Sequence, residues 1–230
     1  MMLADEEIAR RLDAVRHRIA LAATRSGRSA DAISLVLASK TQPPAAIRAA
    51  YRAGARDFGE NYVQEAVSKR SEVHALEDVR WHLIGHLQTN KAALAVKNFD
   101  MIQTLDSARL AEAIARAHPS PPMRVLIEVN LGNEASKSGV APALAESLIE
   151  SARDKVDIIG LMTIPPPAKT ATEARRHFAQ LRALRDRLAA GSGLALSELS
   201  MGMTEDFEVA IEEGATMVRV GRAIFGERPK

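Results

Sequence analysis

VDIIGLMTIPPPAKTATEARRHFAQLRALRDRLAAGSGLALSELSMG, residues 156–202, contains one strand–helix–strand unit and sets the reading of the whole chain. VDIIGLMTI (156–164) is apolar without alternation, the pattern of a strand buried on both faces. Thr170 and Glu173 have the spacing of a capping box, and Phe178, Leu181, Leu184 and Leu188 then share one helical face, with a stop expected at Gly191. SELSMG (197–202) returns as the next strand. Two doubly buried strands joined by a helix belong to a parallel sheet.

The same alternation extends in both directions. Candidate strands are ISLVLAS from Ile33, RDFGE from Arg56, WHLIG from Trp81, DMIQTL from Asp100, RVLIEVNL from Arg124 and MVRVG from Met217, in addition to the two above, and each is followed by helix-like sequence. A second helix is expected from Thr204, as N-cap, to Gly214. Eight such units in 230 residues fit a closed (β/α)₈ barrel. An open doubly wound sheet is the alternative; against it, no GxGxxG follows the first strand and eight strands would be many for such a sheet. An extra N-terminal helix precedes the barrel, with Ile8, Leu12, Val15 and Ile19 on one face and Asp5, Glu6 and Glu7 in its first turn. HPSPP (118–122) and IPPP (164–167) read as turns, so residues 1–230 are expected to form a single domain.

Composition narrows the classes of function. Thirty-one basic against twenty-nine acidic residues give a formal charge of +2, and aromatic residues make up only 3%, so neither a basic patch nor a stacking platform for nucleic acid is implied. There is no cysteine, which removes disulfides, thiolate metal sites and cysteine nucleophiles and suits a reducing, cytoplasmic setting. No run approaches the length of a membrane span, and the acids of the first helix argue against a signal or transit peptide.

In such a barrel, chemistry belongs to the loops that leave the C-terminal ends of the strands. Lys40 ends the first strand in LVLASKT, where burial would make its amine nucleophilic, although a solvated lysine beginning a loop has the same signature. LSMGMTEDF (199–207) and VRVGRAIFG (218–226) follow the last two strands, where barrels commonly bind phosphate. Gly202 and Gly221 would admit close backbone N–H groups and Ser200 would add a hydroxyl; alternatively, the glycines only relieve turns. Arg219 is a charge inside an apolar strand and needs an acceptor, either a neighbouring carboxylate or, for a pyridine ligand, the ring nitrogen. His82 and His86 would lie about 13 Å apart along a strand, too far to share a metal ion. Glu60, Asn61, Asn130, Glu134 and Lys137 add polar groups to the same expected rim.

Taken together, LASKT at Lys40, FGENYVQE (58–65), WHLIGHLQTNK (81–91), NEASKSG (133–139), GLMTIP (160–165), LSMGMTEDF and MVRVGRAIFG resemble the pyridoxal phosphate homeostasis protein family, whose barrel is related to that of alanine racemase and the eukaryotic-type ornithine decarboxylases. The resemblance implies a fold-type III barrel with pyridoxal 5'-phosphate (PLP) as cofactor. By the same resemblance, Lys40 forms the Schiff base, Arg219 faces the pyridine nitrogen, Ser200 with the Gly221 and Arg222 backbone holds the phosphate, and Asn61 approaches from the second loop; Gly202 and Met203 complete the expected cofactor-binding set. The racemases and decarboxylases carry a further β-domain, and this chain stops soon after its eighth strand. The expected role is therefore storage, buffering or delivery of PLP by a monomer, with apo-enzymes as transient partners and Lys91 or Lys137 as a secondary amine. The alternative is a PLP-dependent amino-acid racemase. An aldolase whose lysine attacks a sugar phosphate would share the phosphate loops.

Overall fold

The computed structural model describes residues 4–132, 138–168 and 170–226. Eight parallel strands, β1 (Ser34–Ala38), β2 (Asp57–Glu60), β3 (Arg80–Leu83), β4 (Met101–Leu105), β5 (Arg124–Glu128), β6 (Asp157–Met162), β7 (Glu198–Ser200) and β8 (Met217–Val220), stand in sequence order around a closed barrel. β8 closes on β1 in the register Leu35 to Val218 and Val36 to Arg219. The expected (β/α)₈ barrel is thus the architecture found, and the open sheet is ruled out. Helix α1 (Asp5–Arg25) comes first; α2 (Pro44–Arg52), α3 (Val63–Glu72), α4 (Ala92–Asn98), α5 (Ala108–Ala115), α6 (Ala145–Ala152), α7 (Ala171–Ser192), α8 (Phe207–Glu212) and α9 (Arg222–Phe225) each follow a strand. Glu134 and Lys137 lie outside the described residues.

Side chains alternate across each strand, and the two faces carry different chemistry. The outer face is apolar: Leu37, Phe58, Ile102, Val125, Ile127, Leu161, Leu199 and Val218 are buried against the helices. Burying each such side chain contributes roughly 1.5–3 kcal/mol, so this layer is the main source of stability. The inner face starts with an apolar floor of Met101, Leu126, Met162 and Met217. Above it the interior turns polar, with His82, Gln103, Ser200 and Arg219 bonded to one another. Barrels are usually filled with branched apolar residues, so this polar layer calls for a reason beyond packing.

Helix α1 buries Ile8, Leu12, Val15 and Ile19 as its spacing predicts and packs on α2, α8 and α9. It thereby covers the seam where the first and last units meet, with Arg18 donating to Glu208 (2.7 Å) and Arg25 to Glu212 (2.8 Å). Two helix boundaries differ from expectation. The N-terminal cap of α7 is as read, the Thr170 hydroxyl accepting from the Glu173 N–H at 3.2 Å, but the helix continues through Gly191. It stops at Gly193, the glycine that adopts the left-handed conformation (φ 72°). Helix α8 starts at Phe207, not beside Thr204, because the Asp206 carboxylate accepts from the Met203 N–H at 2.7 Å and folds the preceding residues into a turn. Its far end is as expected, with Gly214 at φ 98°.

Candidate functional site

The first strand delivers Lys40 into a constrained turn. The Ser39 N–H donates to Gly59 O at 2.9 Å, and the Gln42 N–H closes back on Ser39 O at 2.9 Å, so Lys40 and Thr41 form the tip. Thr41 has φ 64°, a left-handed conformation that costs a β-branched residue on the order of 1–2 kcal/mol. Polar groups from α3 hold both sides of this tip. Lys69 Nζ donates to Ser39 O at 2.7 Å, and the Thr41 N–H donates to Glu65 Oε1 at 2.5 Å. Lys69 also pairs with Glu60 (2.8 Å) and Glu65 (2.6 Å), and the Ser39 hydroxyl donates to Glu60 Oε1 at 2.7 Å. The peptide groups before and after Lys40 are therefore tied to one buried ionic cluster between the barrel wall and α3.

That cluster corrects one expectation. Glu60 belongs to the outer face of β2 and is fully buried against α3, whereas Asn61, one residue on, lines the cavity; strand alternation separates the two. Burial raises the Glu60 pKa, against the hydrogen bond and charge of Lys69. Lys69 itself is only 6% exposed, although its spacing from Glu65 is that of an ordinary surface helix pair.

Lys40, Asn61, Met203, Arg219, Gly221 and Arg222 converge on a cavity of about 660 Å³ at the C-terminal mouth of the barrel. Ile164 to Ala168 form much of its wall, so the proline run read as a plain turn is part of the site. Close backbone approaches shape the rim. A side chain at Gly85 would strike Asn61 O at 2.3 Å, and one at Gly221 would come within 3.0 Å of Ala38 O. Asn61 Oδ1 is buried without a hydrogen-bond partner. Among the described residues, the Arg222 and Ala223 N–H groups at the start of α9 find no main-chain acceptor.

Arg219 forms the floor of the cavity. It is 4% exposed and donates from Nη1 to Ser200 Oγ (2.6 Å) and from Nη2 to Thr163 O (2.8 Å). No carboxylate forms an ion pair with it among the described residues, so a salt bridge to a neighbouring strand is not what accommodates it. Burial lowers its pKa to about 10, with Glu128 and Asp206 acting in the opposite sense, and it stays charged at neutral pH. Glu128 is buried on β5 with Oε2 unpartnered, and burial raises its pKa to about 7, with Asp106 adding to the rise and Arg219 opposing it.

Three of the expected cofactor-binding residues make further contacts within the protein. Ser200 is fully buried, and its hydroxyl donates to Gln103 Oε1 at 2.6 Å while accepting from Arg219, so its proton is committed below the cavity. Gly202 sits at φ 92°, and a side chain there would meet Ala210 Cβ at 2.5 Å; the glycine serves the approach of α8. Met203 reaches the cavity by its side chain, its N–H being taken by Asp206. Lys91 is not among the cavity-lining residues. His82 is a hydrogen-bonded interior residue, with Nε2 2.9 Å from Asp57 Oδ1 and Nδ1 3.0 Å from Gln103 Nε2. Gln103 went unnoticed in the sequence, although a glutamine within DMIQTL carries the same signal as an arginine within MVRV.

Comparison with known proteins agrees with this geometry. Residues 11–229 match the family model for the alanine racemase N-terminal domain. The pyridoxal phosphate homeostasis protein of Aquifex aeolicus is 46% identical over 95% of this chain and 97% of its own length. PipY of Synechococcus elongatus, solved with PLP bound, superposes with a TM-score of 0.85 at 40% identity over 95% of this chain and 100% of that one. Alanine racemase from Clostridium difficile, at 15% identity, shares the fold alone, with a TM-score of 0.66 over 86% of this chain and 53% of its own. The chain belongs to the pyridoxal phosphate homeostasis protein family, within the wider group defined by the alanine racemase N-terminal domain.

Proposed function

We propose that this protein binds PLP covalently through Lys40 and serves its storage, buffering or delivery in the cell, with little catalysis of its own. The observation that carries the proposal is the convergence on one cavity of a lysine amine, a buried guanidinium that has no carboxylate partner among the described residues, and main-chain N–H groups at the start of α9 that find no main-chain acceptor among them. A pyridine aldehyde phosphate fits these three in turn. Its aldehyde carbon would be held by Lys40 Nζ, its ring nitrogen would accept from Arg219, and its phosphate would take the Arg222 and Ala223 N–H groups. The orphaned Asn61 Oδ1 supplies a further acceptor at the ring edge.

When bound, the cofactor supplies an aldehyde that a free amine can displace from lysine, which makes loading reversible. The chain's own residues favour holding over reaction. A guanidinium offers only donors, so Arg219 keeps the ring nitrogen unprotonated and the ring a poor electron sink. The mouth location leaves the cavity open to exchange with apo-enzymes, as transient partners of a monomer.

Borohydride reduction followed by peptide mass analysis tests the reading. The expected result is a pyridoxyl adduct on Lys40 that the Lys40→Ala variant lacks, together with no turnover of common amino acids in a coupled racemase assay. An adduct on other lysines only, or steady racemisation that Lys40→Ala abolishes, would replace this reading with another.

A further inference from the structure

The site floor is joined to the far end of the barrel by an unbroken series of side-chain hydrogen bonds. Arg219 Nη1 donates to Ser200 Oγ (2.6 Å), Ser200 donates to Gln103 Oε1 (2.6 Å), Gln103 Nε2 meets His82 Nδ1 (3.0 Å) and His82 Nε2 meets Asp57 Oδ1 (2.9 Å). Asp57 in turn accepts both Nε and Nη2 of Arg80, at 2.7 and 2.6 Å. Donor chemistry gives this chain one direction. An amide nitrogen and a guanidinium can only donate, and a carboxylate only accepts. Gln103 Nε2 therefore requires His82 Nδ1 to be an acceptor, which puts the imidazole proton on Nε2, facing Asp57. The same orientation aims Gln103 Oε1 at Ser200, so the serine proton is consumed there and its lone pair is left for Arg219. Turning the Gln103 amide over would place two donors on Ser200 and leave the serine proton without an acceptor in a layer closed to water.

We infer that Gln103, oriented by His82, is a positioning residue for Arg219: it fixes Ser200 as a pure acceptor, and so holds the guanidinium where its remaining N–H edge faces the ligand's ring nitrogen. The inference rests on the proposed PLP site and adds to it the residues that make Arg219 selective for a ring bearing a nitrogen acceptor. Ser200 and Gln103, the side chains that set Arg219 in this arrangement, carry no formal charge. An arginine held by neutral partners keeps its charge and direction for the ligand.

The test compares equilibrium binding of PLP with that of its carbocyclic analogue, in which C–H replaces the ring nitrogen, to the full-length protein. A charge-assisted hydrogen bond from Arg219 should favour PLP by about tenfold or more in the wild-type protein. In Gln103→Met, which keeps length and volume, the preference should fall to within about twofold while affinity for the analogue is retained, because the contacts of Lys40 and α9 are untouched. His82→Phe, which removes only the acceptor that orients the amide, should lower the preference by a smaller factor and serves if the first variant fails to fold. Equal weakening of both ligands, or an unchanged preference in both variants, would overturn the positioning role. A wild-type preference near unity while PLP still loads on Lys40 would instead show that Arg219 does not meet the ring nitrogen, and would overturn the inference together with that part of the site.

Discussion

Two supports meet at the cavity, and they are built from opposite materials. Outside the barrel wall, Lys40 is held by an ionic cluster: Lys69 with Glu60 and Glu65, tied to Ser39 O and the Thr41 N–H. Inside the barrel, Arg219 is held by neutral groups, Ser200, Gln103 and the Thr163 carbonyl. The difference follows from what each support presents to the ligand. In the proposed role Lys40 exchanges its bond with the cofactor, which calls for a fixed backbone, and strong charge-assisted bonds to the flanking peptide groups supply it. In the same proposed role Arg219 keeps its charge and its direction, and a carboxylate beside it would compete with the ligand.

The comparison can be broken most directly at Lys69. Lys69→Met leaves the buried Glu60 carboxylate and the partly buried Glu65 carboxylate without their cation, and the expected loss is about 3–5 kcal/mol in urea unfolding. Adding Glu60→Gln and Glu65→Gln should restore part of it. A loss below about 1 kcal/mol for the single variant would show that the cluster bears little of the structure there.

Glu128 sharpens the contrast from the other side, as an ionisable acid within the largely neutral interior. Its folded pKa of about 7 lies above the ordinary value of 4.5, so its protonated form is favoured by folding. The associated stability is fully present below pH 4.5 and is lost as pH rises to about 7, amounting to on the order of 3 kcal/mol. Glu128→Gln should remove that decline. Parallel pH profiles of unfolding free energy for the two proteins would place the titration elsewhere.

Ser200→Ala should cost less than Lys69→Met, about 1–3 kcal/mol, because it leaves one Gln103 oxygen and one arginine N–H unsatisfied but strands no charge. A larger loss than that of Lys69→Met would reverse the ranking of the two supports. The smallest effect is expected at Thr41. Thr41→Gly relieves the left-handed backbone but adds freedom to the unfolded chain, so calorimetry should find a net change within about 1 kcal/mol, on the stabilising side. A clear destabilisation would mean that the threonine side chain contributes contacts that outweigh the strain.

Much of the fold was legible because the strands and helices bury continuous apolar faces, and such faces leave a period in the sequence. The candidate strands from Ile33 to Met217 all occur, and the apolar stripe of α1 is buried as read. Boundaries were less legible where two glycines or two cap residues compete: Gly193 rather than Gly191 ends α7, and Asp206 rather than Thr204 organises the start of α8. At the site, Lys40 and Arg219 stood out as charges at or within apolar strands, and both line the cavity. The partners of Ser200 were not legible, because its motif says where it lies in the chain and not which side of the strand bears its hydroxyl. Lys69 was missed for the converse reason, since its spacing from Glu65 is the same whether the pair is solvated or buried.

By itself the sequence determined the order of strands and helices, the parallel barrel and the charged residues at its mouth, because periodicity and residue chemistry are local properties of the chain. Only the tertiary structure decided which polar groups face one another. The chain from Asp57 to Arg219 joins residues of β2, β3, β4, β7 and β8, and the cluster around Lys69 joins α3 to β1 and β2. Hydrogen bonds act over about 3 Å, and no spacing along one strand specifies a neighbour brought in by closing the barrel.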